Sequence, residues 1–188
     1  MRSTLLSGVG LMVLVIGVQQ ALRTDNVVFP LAGLMIGAIA GELLHLEDRL
    51  DALPASSDGF VAASLVFCVG PLTILGSIQD GLGGAGHAQL LFVKAALDGL
   101  VAMVFASTLG WGVALSAVTI VVVQGGLTLF AGAADRVLTT RMIDEMSAAG
   151  GVIMLGIGLR LLDLRKVRVG SFLPALVVVP LLVAAFAR

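Results

Sequence analysis

The sequence predicts an all-α, polytopic integral membrane protein with about seven spans, an inverted-topology repeat and a kinked or broken third span. Three observations carry this. The 188 residues are 59% hydrophobic and 12% charged, whereas soluble domains average roughly 45–50% apolar and 25% charged. The apolar residues fall into seven windows, each near the roughly 20 residues that cross a bilayer as a helix. The connections between windows are short, so neighbouring helices run antiparallel and residues 1–188 form one transmembrane domain. The formal net charge of −1 offers no basic field to nucleic acid. The one cysteine, Cys68, excludes internal disulfides and multi-thiolate metal sites.

Segment A (5–22) follows Met1-Arg2 and lacks a small-x-small cleavage site, so it reads as a retained span rather than a signal peptide. Segment B (27–46) carries Gly33, Gly37 and Gly41 on one face, a strip that lets another helix approach closely. The partner is either in the chain or in a second copy, as in a homodimer or higher homo-oligomer. Glu42 follows about 22 Å along that helix, where it lines a polar cavity or reaches the headgroups beside His45 and Glu47. An acidic loop around Pro54 leads into segment C (60–78).

Segment C contains Gly70-Pro71 in its middle. Proline lacks an N–H and its ring collides with the carbonyl four residues back, here Phe67, so a kink or a full break is expected. A full break would offer carbonyls to a cation from the incoming half, and N–H groups near Thr73 to an anion from the outgoing half. After the loop Gly81–Gly86 and His87, segment D (90–107) places Asp98 at membrane depth, with Lys94 one turn earlier on the same face. A carboxylate there costs roughly 2.5–3.5 kcal/mol even on lenient scales, so it faces protein or water and marks an ion or substrate path, or a structural Lys–Asp pair. On segment E (110–132), Ser116 and Gln124 share a face with Gly112 and Ile120, as interhelical glue or the wall of a wet cavity.

Segments F (146–163) and G (170–187) complete the count. F reads Gly151-Val-Ile-Met-Leu-Gly-Ile-Gly158 and matches the Gly10-Leu-Met-Val-Leu-Val-Ile-Gly17 of A, each followed two residues later by a polar residue. Phe172-Leu-Pro174-Ala of G echoes Phe29-Pro30-Leu-Ala of B. As first and sixth spans, A and F point in opposite directions, an arrangement common in secondary transporters. The Lys and Arg cluster between F and G tips the N-terminus toward the cytoplasm. No HExxH array, GxSxG elbow or phosphate-binding glycine loop is present, so an enzyme and a bound cofactor or metal are not expected.

Several runs together resemble a known family: Phe60 to Gly81 with Cys-Val-Gly-Pro-Leu-Thr-Ile-Leu-Gly-Ser-Ile-Gln-Asp, Lys94-Ala-Ala-Leu-Asp-Gly99, Phe105-Ala-Ser-Thr-Leu-Gly-Trp-Gly-Val113, Gln124-Gly125 and Met142-Ile-Asp-Glu-Met146. They are similar to the bacterial membrane proteins grouped as domain of unknown function 554, the YqgA type. The resemblance covers nearly the whole chain and implies a multi-pass protein of the bacterial inner membrane. It also implies a further glycine-rich span ahead of segment A, which this chain lacks. Within the residues themselves, the leading functional reading is a secondary transporter or exporter of an ion or small polar solute. Asp98, Lys94, Gly70, Pro71, Thr73, Ser116, Gln124 and Glu42 are its candidate site, coupling is by H+ or Na+, and the repeats rock about it. A passive channel and a non-transporting scaffold are the alternatives.

Overall fold

In a computed structural model, residues 2–51, 57–83 and 88–186 are described. They form ten α-helices and one 3-10 turn: α1 (Arg2–Ala21), α2 (Val28–Leu43), α3 (Leu46–Asp51), α4 (Ser57–Cys68), α5 (Pro71–Leu82), α6 (Gln89–Leu109), α7 (Gly112–Leu129), α8 (Ala131–Val137), α9 (Thr140–Leu161), the turn Val169–Phe172 and α10 (Ala175–Phe186). Among the described residues there is no strand. The physical reason is that in lipid each backbone N–H and C=O must be satisfied within its own segment, which a helix does. The expected loops at Pro54 and at Gly84 to His87 lie outside the described residues.

Four helical stretches are long and apolar enough to cross a membrane: Gln89–Leu109, Gly112–Leu129, Thr140–Leu161 and Val169–Phe186. The pair α4 and α5 makes a fifth, bent by 59° at the break, and Leu6–Ala21 and Val28–Leu43 are shorter apolar helices. Segment boundaries moved where polar residues are held by protein. Segment F starts at Thr140 rather than 146 because Glu145 is completely buried and paired, and the Thr139 hydroxyl caps the new start by accepting from the Met142 N–H at 3.3 Å. Segment B ends at Leu43, and α3 follows it as a separate helix. The end of segment E belongs to the short α8.

The helices gather in two bundles. In the first, α1 lies against α9 and α2 against α10. Contacts of Gly17 with Gly151 and of Gly10 with Leu162 make α1 and α9 antiparallel. The strip on α2 runs along Val179, Ala175 and Ser171, so the partner that segment B requires is the end of the same chain. A Cβ at Gly41 would land on the Ser171 backbone, which leaves glycine as the residue that fits this crossing. In the second bundle, α7 runs beside the bent pair, from Gly59 near Val113 to Gly81 near Thr128, with α6 antiparallel to both. The bent pair therefore follows α7 from one end to the other, as a broken crossing does and a re-entrant loop does not.

Candidate functional site

The break is complete. Gly70 is extended (φ −172°, ψ 149°) and α5 starts afresh with Pro71 at its first position, where the missing N–H costs nothing. Carbonyls at the end of α4 would otherwise be orphaned at membrane depth. The Thr73 hydroxyl donates to the Phe67 carbonyl at 2.9 Å, the same carbonyl that residue 71 would serve in a continuous helix. The Gln20 amide, from α1, donates to the Val69 carbonyl at 2.8 Å. Thr73 is 1% exposed, so these bonds form in a dry environment where their loss is costly. By contrast, α5 has no side-chain cap at Gly70 among the described residues, and the N–H groups of Thr73 and Ile74 turn back to the Gly70 carbonyl.

A cavity of about 180 Å³ opens on the break. Gly70, Pro71 and Thr73 form one wall, Gln19, Gln20 and Arg23 another, and Lys94 and Asp98 the third. Asp98 lies about 14 Å along α6, one turn beyond Lys94, and the two form an ion pair. The Lys94 residue is 7% exposed, while the Asp98 side chain keeps 25% of its surface open. The pair also borders a second cavity of about 470 Å³ between α6 and α7, whose walls include Ser116 and Gln124. The Ser116 hydroxyl bonds its own helix at the Val113 carbonyl (2.6 Å), so it is satisfied without a partner helix.

Of the residues singled out from sequence, Gly70, Pro71, Thr73, Lys94 and Asp98 meet at one cavity, and Ser116 and Gln124 join them through the second. Glu42 does not belong with them. It sits at the far end of α2, where it accepts from the Ser171 hydroxyl (2.9 Å) and from Arg168 (3.0 Å). Both partners come from the connection that follows α9, so Glu42 lies apart from the two cavities. Gly33, Gly37 and Gly41 are buried in packing away from both cavities. Sequence reasoning missed Gln20 and Arg23, because residues at the end of an apolar run read as interfacial. The adjacent amides Gln19-Gln20 before a charged turn were the available signal. Among the described residues, no group of three or more His, Cys, Asp or Glu side chains gathers as a metal site.

A family model described as "Protein of unknown function (DUF554)" matches residues 1–184. The chain belongs to this family. It is similar to the uncharacterized membrane protein YdfK of Bacillus subtilis (strain 168), at 32% identity over 81% of this chain and 69% of the relative. It is also similar to the uncharacterized protein YqgA of Escherichia coli (strain K12), at 27% identity over 98% of this chain and 85% of the relative. No solved structure matches it. With four to five stretches long and apolar enough to cross a membrane, and a relative named a membrane protein, this is a multi-pass membrane protein.

Proposed function

We propose that this protein is a secondary transporter of an ion or small polar solute in the bacterial inner membrane, crossing it seven times with an inverted repeat. The observation that carries the reading is the break at Gly70-Pro71 opening on a cavity whose far wall, the Lys94–Asp98 pair, is shared with a second cavity. A purely structural ion pair is expected to be sealed by packing on every side, and this one borders space on two. The antiparallel pairing of α1 with α9 and of α2 with α10 supports the repeat, because each of these two helices lies on the helix whose motif it matches. Broken helices at the midplane of inverted repeats are where transporters bind cargo and coupling ions.

Asp98 is the coupling group in this reading. Protonation or Na+ binding at its carboxylate releases Lys94, and the freed ammonium and the uncapped start of α5 then meet the solute. The test is counterflow in proteoliposomes across a panel of inorganic ions, amines and amino acids. Saturable, gradient-driven flux that Asp98→Asn abolishes is expected. Absence of flux for the whole panel, or flux that Asp98→Asn leaves unchanged, overturns the proposal. Single-channel current steps would replace it with the pore.

A further inference from the structure

Alternation at the site requires moving parts, and rocking one repeat against the other conflicts with how the two are joined. Along their length α1 and α9 meet with backbone against backbone at Gly17 and Gly151. At one end of the bundle, Glu145 of α9 is fully buried and accepts from the Thr24 hydroxyl (2.5 Å) and from the N–H groups of Asp25 (3.1 Å) and Asn26 (3.0 Å), closing the turn between α1 and α2. At the other end, Glu47 of α3 is 5% exposed. It accepts from the Gly170 N–H (2.6 Å) and from Arg160 (2.8 Å), closing the connection between α9 and α10. Arg168 adds ion pairs to Glu42 and Asp48, each at 3.0 Å. The arrangement is reciprocal: each half supplies the buried glutamate that holds the other half's turn.

The second bundle is tied internally as well. Ser64 of α4 bonds Thr119 of α7 (3.1 Å), and Thr128 of α7 bonds the Ser77 carbonyl of α5 (3.2 Å), so both halves of the broken helix are fastened to α7. The seam between the bundles is an apolar packing surface, on which Val9, Val13 and Met154 share one buried cluster with Ala62, Phe67 and Phe105. Val69 fits the hollow at Gly150. An apolar cavity of about 250 Å³ separates Leu50, Leu173 and Leu176 of the first bundle from Phe60, Ser64 and Cys68 of the second. The cavity at the break lies on the same seam. Apolar surfaces with voids between them shift without stranding polar groups, whereas opening either glutamate clamp strands several.

We propose that α4 to α8 move as one body carrying the break and Asp98, against a clamped unit of α1, α2, α3, α9 and α10, with Gln20 as the catch that holds the seam. This two-body division rests on the transport reading only for its purpose, and its test needs no cargo. Cys68 is the single cysteine of the chain and faces the apolar seam cavity, so its thiol reports opening. In nanodiscs, Gln20→Leu removes one hydrogen bond across the seam and is expected to raise the rate of Cys68 labelling by N-ethylmaleimide about fivefold. Hydrogen–deuterium exchange over residues 68–73 rises with it, and exchange in α1 and α9 stays as in the parent. Glu145→Gln is expected to speed exchange over residues 22–28 with Cys68 labelling within about twofold of the parent. Unchanged labelling in Gln20→Leu overturns the proposal, as does labelling in Glu145→Gln that rises as much as in Gln20→Leu. Gln20→Met, of similar length, is the second variant should Gln20→Leu fail to fold. A failed transport assay alongside these results would remove the cargo and leave the two bodies standing.

Discussion

At the scale of single residues, the break stands because side chains replace the backbone partners it removes. Thr73 is the clearest case, since its hydroxyl serves the carbonyl that Pro71 deprives. Thr73→Val keeps the volume and strands that buried carbonyl, so a loss of about 1–3 kcal/mol is expected, and Thr73→Ser should recover most of it. Unfolding in detergent followed by circular dichroism measures both. The Lys94–Asp98 pair supports a second expectation. Lys94→Met leaves Asp98 without its counter-charge and should destabilise more than the double change Lys94→Met/Asp98→Leu, because an unpaired intramembrane carboxylate costs more than an apolar replacement of the whole pair. Equal stability of the two variants would show that cavity water already solvates Asp98.

At the scale of elements, glycine divides into two uses that the structure separates. Gly37 lies so close to Ala175 that a Cβ there would overlap its backbone, whereas a Cβ at Gly99 of α6 would meet nothing within 4 Å. Gly37→Val is therefore expected to abolish folded protein, judged by elution on size-exclusion chromatography. Gly99→Ala should be neutral or stabilising by about 0.5–1 kcal/mol from helix propensity alone. The apolar segments were legible in sequence, as were the glycine strip and an interruption at Gly70-Pro71 that left a kink or a full break open, because apolar length, proline and small-residue spacing are local properties. Ends were legible only where loops are solvated. Segment F looked too short because Asp144 and Glu145 resemble loop charges until the donors of Thr24, Asp25 and Asn26 are found for the buried Glu145.

At the scale of the whole molecule, Glu145 and Glu47 hold opposite ends of the first bundle, one through Asp25 and Asn26 and the other through Arg160 and Gly170. Replacing either with alanine removes hydrogen bonds to a buried carboxylate, part-buried at Glu145 and with the buried Gly170 N–H among them at Glu47, at about 1–3 kcal/mol for each variant. The two losses are expected to add within about 0.5 kcal/mol, since distant sites without shared partners behave independently. Strong non-additivity in denaturant titrations would mean that the clamps are coupled through the bundle.

Composition and periodicity alone determined that this chain is a bundle of membrane helices with one helix kinked or broken near its middle and a carboxylate within an apolar run. They did so because lipid forces each segment to satisfy its own backbone, which leaves a readable trace of length, polarity and proline. What only the tertiary structure decided is which polar residues share a space. It brought Gln20 to the break across 49 positions of sequence, put Asp98 between two cavities, and took Glu42 away to an ion-pair network with Arg168. Those outcomes depend on how helices cross. A crossing is set by glycine surfaces and buried carboxylates acting between distant parts of the chain, and no local pattern encodes it.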